Sequence, residues 1–496
     1  MNRKLVASLV AISLFSAICP VVQAADTEKK KATVVKVVLN TGGQSTLKKS
    51  KTQTTKTKTI SKSATETTTE NMTVGAKKAA AARAKAAETA GKKNAEASKT
   101  SAQTATTVGA KKAASVGRVT GTKEETKSVG KTKDTASVMT KGSQIEVGLL
   151  VKQREVKIAV LGEVKAKVGG KEWQTYKKGM VLVVTAGNRT ISINGKKAGE
   201  TVLLSPSGDA ISFKTKGHSY RGSMKLIASG SGVTCVNVLP LEQYLCGVVP
   251  CEVSPSWHRD ALRAQAVAAR TYAIYHKDGY RQNGYDVTDD TYSQVYEGAD
   301  AEDSATTAAI KDTAGMIVTY NGKAIDAVFH ANGGGATENS ENVWGSVVPY
   351  LKGVKEVSHS VIDKAWTKKV PLETFQKNLG IGTFKSLSLS KLTRGKSTGK
   401  DRGVSGRVLS FTVKGAKKEV TTTGDKMQAL YDLPSTLFDI KVSGKEVVFT
   451  GYGLGHGLGL SQWGAQAMAQ KNGGAQDYYK KILMHYYKNT KITKVY

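Results

Sequence analysis

One glutamate stands in a setting that could give its carboxyl group a chemical role. Glu252 follows Val249-Pro-Cys251 and precedes Val253 and, four residues later, Trp257, so its neighbours along the chain are mostly apolar. A carboxyl group that is removed from water in such surroundings has a raised pKa and can donate a proton near neutral pH. The alternative is a surface glutamate between two helices, and the composition of the segment alone favours that alternative.

Basic residues follow Glu252 at helical spacing. Arg263 and Arg270 are seven residues apart and share a helix face, and Arg259 and Lys277 lie close to it. Basic residues with such spacing usually form a stripe that faces solvent. The other interpretation is that one of these arginines points into a site that binds an anion, and spacing alone favours the solvated stripe.

Two predicted helices must position Glu252. The first begins with Pro240 and has Glu242 in its first turn, which is typical of a helix start. Pro250 predicts its interruption, so Glu252 is expected at a junction. A second, Ala-rich helix is predicted from about Ser256, whose hydroxyl suits an N-cap, to about His276.

Short β-strands are predicted on both sides of these helices. Before them, β-branched residues alternate between Gly and Asn clusters, which predicts strands at 144–151, 156–160, 180–185, 190–194, 202–204, 224–227 and 233–238. Asn194-Gly195 predicts a hairpin turn. After them, strands are predicted at 407–413 and 447–450, and short helices near 371–379, 425–430 and 477–487.

The first 24 residues have the layout of a secretory signal peptide. Arg3 and Lys4 precede an apolar run over 5–17, and 22–24 is a small-residue cleavage site. An uncleaved anchor is the alternative, and Ile18 disfavours a lipoprotein signal through Cys19. The sequence therefore predicts a secreted or extracytoplasmic protein of the cell wall or envelope, with no transmembrane span after cleavage.

Residues 25–142 are predicted to be a disordered basic tail. Residues 25–141 contain 25 Lys or Arg against 9 Asp or Glu, and no Phe, Tyr or Trp. Such a segment cannot bury enough apolar surface to offset its chain entropy. Outside the cytoplasm it would meet anionic wall polymers or lipid headgroups, so no nucleic acid is expected. A solvated spacer without a partner is the alternative.

Composition excludes several classes of protein. The chain has 496 residues with a net charge of +34, which leaves room for two or three folded units. Its one sustained apolar run is too short to span a bilayer, and four Cys rule out a disulfide framework. Cleavage after residue 24 would leave Cys235, Cys246 and Cys251, so at least one thiol is expected to be unpaired or to pair in trans. Cys246 and Cys251 are expected as buried thiols.

Several ordered motifs in residues 144–496 resemble the stage II sporulation protein D and amidase-enhancer (SpoIID/LytB) family. The motifs are 220–222, 239–245, Gly247-Val-Val-Pro-Cys-Glu252, 262–272, 294–296, 322–326, 329–334, 344–351, Gly453-Leu-Gly-His-Gly-Leu-Gly-Leu-Ser-Gln-Trp-Gly-Ala465 and 482–487. The Gly-rich run lacks the Gly-Lys-Ser/Thr ending of a phosphate-binding loop. The family is similar to peptidoglycan-cleaving lytic transglycosylases that use one acidic residue, and Glu252 matches its position.

The resemblance implies further site residues. Arg270 would clamp a peptide-stem carboxylate or steady Glu252, with a structural ion pair as the alternative. Substrate-binding positions are expected at Gln294, Tyr296, His330, Asn332, Glu338, His456 and Gln462, each with a purely structural role as its alternative. Some relatives carry Cys and His before Gln294, but this chain has neither there, so no metal is expected. No cofactor is expected.

The expected fold is α+β. We expect a β-rich unit over 143–238, a core with two helices and Glu252 over 239–355, a β-rich insertion over 356–450, and a mixed C-terminal part over 451–496. The resemblance implies a lytic transglycosylase that cleaves peptidoglycan glycan strands in wall remodelling or sporulation. The first alternative is a non-catalytic protein that binds the wall and enhances an amidase, which would then be its partner. A purely adhesive wall protein would leave the ordered motifs unexplained.

Overall fold

The computed structural model describes residues 143–208, 210–230, 232–472 and 474–496. The predicted signal peptide and basic tail lie outside these residues. The described part is a mixed α+β structure, which confirms the predicted fold class in that part.

The described residues from 144 to 240 form antiparallel strands that pack around one apolar core. The strands are β1 (Gln144–Gln153), β2 (Glu155–Val160), β3 (Val164–Val168), β4 (Lys171–Tyr176), β5 (Val181–Gly187), β6 (Thr190–Ile193), β7 (Lys196–Gly199), β8 (Thr201–Pro206), β9 (Phe213–Thr215), β10 (His218–Tyr220), β11 (Ser223–Ser229) and β12 (Gly232–Pro240). One sheet has the order β10-β9-β2-β5-β6-β7. The other has the order β1-β12-β11-β8-β3-β4, and a later strand, β13 (Val287–Thr288), joins it in parallel beside β1. Alternate residues of β2 and β11 face the core, as the sequence pattern predicts.

The predicted hairpin turn joins β6 to β7. Asn194 and Gly195 have φ angles of 50° and 80°, and the two strands pair antiparallel. A two-residue turn of this hand requires positive φ at both positions, which Asn and Gly tolerate best. The prediction from Asn194-Gly195 is therefore confirmed.

Three helices follow; the bounds of the first two differ from the predicted ones, and the third was not predicted. They are α1 (Leu241–Glu252), α2 (Arg259–Tyr275) and α3 (Ser304–Asp312). Pro250 lies inside the last turn of α1, where it removes one backbone hydrogen bond without ending the helix, so the predicted interruption is wrong. Glu252 is therefore the last residue of α1. The N-cap of α2 is His258 rather than Ser256, and its Nδ1 accepts a hydrogen bond from the amide of Asp260 at 3.1 Å.

The next elements lead into a unit that has its own apolar core. They are β14 (Met316–Tyr320), β15 (Lys323–Ala324), β16 (Phe329–His330) and α4 (Ser340–Trp344). The unit comprises β17 (Trp366–Pro371), α5 (Leu372–Leu379), β18 (Phe384–Ser388), β19 (Ser410–Gly415), β20 (Glu419–Thr423), α6 (Gly424–Tyr431), β21 (Phe438–Ser443) and β22 (Glu446–Gly451). Its two sheets have the orders β17-β22-β21 and β18-β19-β20, and its core includes Phe375, Phe411 and Phe449.

The last elements return to the two-helix part. They are β23 (Leu460–Ser461), α7 (Gln462–Lys471), α8 (Tyr478–Tyr486) and β24 (Lys491–Lys494). Strand β23 pairs with β16, and β24 pairs with β14. Helix α2 lies between two apolar cores: Ala266 and Ala269 belong to the first, and Ala264 and Ala268 belong to the second. These small side chains allow close packing on both sides of the helix.

Candidate functional site

The end of α1 and the start of α7 bring Glu252 and Gln462 together. Gln462 Nε2 donates a hydrogen bond to Glu252 Oε2 at 3.3 Å, although the residues are 210 positions apart in the chain. Gln462 is the first residue of α7, and the hydroxyl of Ser461 caps that helix by accepting a hydrogen bond from the amide of Gly464 at 3.2 Å. The pairing of β23 with β16 fixes this helix start.

Removal from water dominates the electrostatics of Glu252. The side chain is half-buried, and desolvation raises the pKa of its carboxyl group from 4.5 to about 8, while the hydrogen bond from Gln462 opposes this rise. A carboxyl group with such a pKa is mostly protonated at neutral pH and can act as an acid. The apolar neighbours of Glu252 thus have the effect that the sequence suggested.

Aromatic residues follow both Glu252 and Gln462 closely in the chain. The ring of Trp463, which follows Gln462, has its centroid 4.7 Å from that of Trp257 and 5.3 Å from that of His359. All three side chains are half-buried, so part of each ring remains accessible. Rings of this kind can pack against the apolar face of a sugar.

Two buried tyrosines also lie within electrostatic reach of Glu252. Burial is the main cause that raises the pKa values of Tyr244 and Tyr272, and the Glu252 carboxylate raises them further. The ring of Tyr272 lies 4.1 Å from that of His276, whose Nε2 is 2.9 Å from Asp326 Oδ1. Tyr272 therefore contacts a histidine–aspartate pair through His276.

The structure places Gln294 and Tyr296 in the core. Gln294 accepts a hydrogen bond from Tyr244 Oη at 3.3 Å, and Tyr296 Oη donates to Asn237 Oδ1 at 2.8 Å. Gln294 and Tyr296 are 1% and 3% exposed. Gln294 Nε2 also donates to the carbonyl oxygen of Ala269 at 3.4 Å, and the Tyr296 ring lies 5.0 Å from that of Tyr244.

Arg270 lies in a buried ion pair at the start of α1. Its Nε and Nη2 donate to the two carboxylate oxygens of Glu242, each at 2.7 Å, and both side chains are 0% exposed. Glu242 and Glu252 are ten residues apart on α1, or about 15 Å along the helix axis. The arrangement matches the structural ion pair that the sequence left open. Because Arg270 is buried, it does not belong to a basic stripe that faces solvent.

His330 and His456 form an uncharged pair beside the Gly-rich segment. Their ring centroids are 5.3 Å apart, and His330 Nδ1 is 3.0 Å from the carbonyl oxygen of Leu458. Burial lowers the pKa of His330 well below its usual value. Burial, with Arg407 nearby, lowers the pKa of His456 to about 4. Both imidazoles are therefore neutral at neutral pH.

Asn332 and Glu338 hold backbone segments. Asn332 Oδ1 accepts a hydrogen bond from the amide of Gly334 at 2.8 Å, and its Nδ2 donates to the carbonyl of Val361 at 3.1 Å. Glu338 is 1% exposed and accepts hydrogen bonds from the amides of Val404 and Ser405, both at 3.0 Å. Its carboxylate thus joins the segment before α4 to the unit that contains β17–β22.

No group of three or more His, Cys, Asp or Glu that could hold a metal ion occurs within the described ranges. Cys235, Cys246 and Cys251 are free and buried, so the described cysteines form no disulfide with one another. Among the described helices, none is both long enough and apolar enough to cross a membrane.

The sequence did not assign roles to Trp463, Tyr272, Asp326 or His359. Trp463, Tyr272 and Asp326 all fall within the quoted motifs, but a motif does not show which of its members face the same space. The position of Trp463 directly after Gln462 could have indicated Trp463 as a further candidate site residue. His359 lies outside the motifs and meets Trp463 only through the fold.

Comparisons with known proteins agree with these motifs. A family model described as stage II sporulation protein matches residues 229–320, and a model described as a domain of unknown function matches 365–459. An uncharacterized protein of Brachyspira hyodysenteriae is 35% identical over 282 residues, covering 56% of this chain and 74% of its own length. Stage II sporulation protein D of Bacillus subtilis is 32% identical over 275 residues (52% of this chain, 76% of its own length). The amidase enhancer of Bacillus subtilis is 32% identical over 295 residues, but the match covers only 40% of its length and 50% of this chain.

Proposed function

Since the chain belongs to the SpoIID/LytB family, we propose that it acts on cell-wall peptidoglycan outside the cytoplasm, as a lytic transglycosylase that uses Glu252 as its one acid and base. The observation that carries the proposal is the Glu252 carboxyl group itself. It is half-buried, has a pKa raised to about 8, and accepts a hydrogen bond from Gln462, whose chain neighbour Trp463 packs against Trp257.

One carboxyl group is sufficient for this reaction. Protonated Glu252 gives its proton to the glycosidic oxygen as the bond from that oxygen to the anomeric carbon breaks. The 6-hydroxyl oxygen of the same sugar then bonds to the anomeric carbon, and the Glu252 carboxylate takes the hydroxyl proton. The products are an anhydro sugar and a free 4-hydroxyl group, and the enzyme regains its proton. No water is consumed, so no second carboxylate is needed to activate one.

The hydrogen bond from Gln462 supports this assignment. The amide group can bond to the carboxyl group in its neutral and ionised forms, so it holds Glu252 in one orientation through both steps. The proline inside the last turn of α1 and the cap of α7 fix the two backbones from which these side chains extend.

Digestion of purified sacculi tests the proposal. We expect the protein to release muropeptides with anhydro ends, and the Glu252→Gln variant to release none. Glu373→Gln, which alters an exposed glutamate on α5, is the matched control and should keep full release. Undiminished release by Glu252→Gln would end the proposal.

A second candidate function is that of a non-catalytic enhancer of an N-acetylmuramoyl-L-alanine amidase. The likeness to the amidase enhancer of Bacillus subtilis favours it. Incubation of the protein with sacculi, with and without an added amidase, separates the two functions. An enhancer would release material only when the amidase is present, and would do so equally well as the Glu252→Gln variant.

The basic tail extends the proposal to wall attachment. We propose that residues 25–142 bind anionic wall polymers through their positive charge. Because salt screens such attraction, binding of the tail to purified wall should fall between about 0.1 M and 1 M salt. Equal binding at both concentrations would contradict it.

A further inference from the structure

Glu356 carries a carboxyl group that has no role in the proposed reaction. The residue lies between α4 and β17, outside the quoted motifs. It is half-buried as a whole, but its Oε1 atom is fully buried and has no hydrogen-bond partner among the described residues. Burial raises the pKa of this carboxyl group, while the Ser461 hydroxyl and the Gly335 amide oppose the rise. The protein therefore keeps an acidic side chain in the interior near the start of α7.

Glu356 is bonded twice to a glycine turn over residues 333–335. Its backbone amide donates to the carbonyl oxygen of Gly335 at 3.0 Å, and the amide of Gly335 donates to Glu356 Oε2 at 2.7 Å. Gly334 and Gly335 have φ angles of 77° and 111°, which glycine adopts at least cost. A Cβ atom on Gly333 would lie 2.5 Å from Oε2, so the missing side chain leaves room for the carboxylate.

Ser461 connects the same turn to the start of α7. Its hydroxyl oxygen accepts hydrogen bonds from the amide of Gly333 and from the amide of Gly464, each at 3.2 Å. Gly464 lies in the first turn of α7, and a Cβ atom there would lie 2.7 Å from Glu356 Oε1. The carboxyl group thus packs against the first turn of a helix, where the helix dipole favours a carboxylate.

A continuous series of contacts therefore leads from Glu356 to Glu252. It passes through the glycine turn and Ser461 to Gln462, whose Nε2 donates to Glu252 Oε2 at 3.3 Å. This last bond is long for a hydrogen bond from nitrogen to oxygen, so a small shift of the helix start would break it. Burial and the bond from Gln462 are the two causes that shift the pKa of Glu252, so Glu356 affects that pKa only through Gln462.

We propose that Glu356 is a positioning residue, which fixes the start of α7 so that Gln462 holds the Glu252 carboxyl group. The inference rests on the proposed function for its consequence in catalysis. The positioning itself can be measured without any substrate.

Paired unfolding measurements on the full chain test the position of Gln462. The difference in stability between a protein and its Glu252→Gln form changes with pH until Glu252 ionises in the folded protein, and the pH at which it levels off reports the pKa of Glu252. We expect this levelling pH to rise by about half to one unit in Glu356→Ala, because the hydrogen bond that lowers the pKa is lost. Ser461→Ala, which breaks the series at its next side chain, should raise it by as much.

Further variants show whether the effect passes through Gln462. Adding Glu356→Ala to Gln462→Leu should raise the levelling pH no further than Gln462→Leu does alone. Glu356→Gln keeps the size of the side chain but only one acceptor oxygen, and it should raise the levelling pH less than Glu356→Ala. Phe375→Leu, which lowers stability in the separate core of the β17–β22 unit, should leave the levelling pH unchanged.

The outcomes separate this inference from the proposed function. A levelling pH that stays in place in the Glu356 variants and in Ser461→Ala would overturn the positioning role, whatever the wild type releases from sacculi. A rise that adds to that of Gln462→Leu would also overturn it. If Glu356→Ala does not fold, Glu356→Gln and Ser461→Ala decide. If the levelling pH rises as expected and the wild type releases no anhydro-muropeptides, the positioning role stands and the proposed function fails.

Discussion

The raised pKa of Glu252 makes a prediction about stability that does not depend on catalysis. Glu252→Gln replaces the titrating group with a neutral one of the same size. Below about pH 4.5 the wild-type carboxyl group is protonated in the folded and unfolded protein, so the stability difference between the two proteins is constant there. Between pH 4.5 and about 8 the carboxyl group ionises only in the unfolded protein, so the wild type loses stability relative to the variant as the pH rises. Above about pH 8 it ionises in both states and the difference levels off.

The size of this effect follows from the two pKa values. They differ by about 3.5, and one pH unit corresponds to about 1.4 kcal/mol, which gives an upper bound of about 5 kcal/mol. Because Glu252 is partly exposed to solvent, we expect a change of about 2–3 kcal/mol in the difference between the two proteins.

Urea unfolding of both proteins from pH 4 to 9, followed by tryptophan fluorescence, measures this difference. Taking the difference cancels the contributions of all other titrating groups, which the two proteins share. Glu373→Gln, which alters an exposed glutamate on α5, serves as the control. A stability difference between Glu252→Gln and the wild type that stays constant from pH 4 to 9 would refute the argument that Glu252 is desolvated.

Two further predictions follow from the same structure. Arg270→Met should lower the free energy of unfolding by about 3–5 kcal/mol because it leaves Glu242 buried without its partner. In urea unfolding, Arg270→Met combined with Glu242→Leu should recover at least half of this loss. A double variant whose loss equals the sum of the two single losses would contradict an ion pair. Gln462→Leu removes a hydrogen bond that lowers the pKa of Glu252, so the alkaline limb of the pH–activity profile should move to higher pH. An alkaline limb that stays in place or moves to lower pH would argue against that contact.

Local patterns in the sequence predicted only part of the elements and not all of their ends. Alternation predicted strands such as β2, β6 and β11 but not β3 or β4, and Asn194-Gly195 predicted a turn that requires positive φ. Pro250 misled the prediction because a proline in the last turn of a helix removes only one hydrogen bond. The cap of α2 was also missed, since His258 can accept a backbone hydrogen bond through Nδ1 but is not a favoured capping residue.

The candidate site depends on contacts between distant parts of the chain, which spacing cannot reveal. Glu252 and Gln462 meet across 210 residues, and only the resemblance named both. Whether Gln294 and Tyr296 face substrate or core depends on Tyr244 and Asn237, which lie in other elements. A polar side chain is compatible with both places as long as its hydrogen bonds are satisfied.

The central claim is that Glu252 serves as acid and then as base without help from water. Digestion of sacculi in heavy-oxygen water, with mass spectrometry of the released muropeptides, tests it most directly. The account predicts sugar ends that are one water lighter than hydrolytic ends and carry no heavy oxygen. Reducing ends that contain heavy oxygen would show that water attacked the linkage, and would contradict the account.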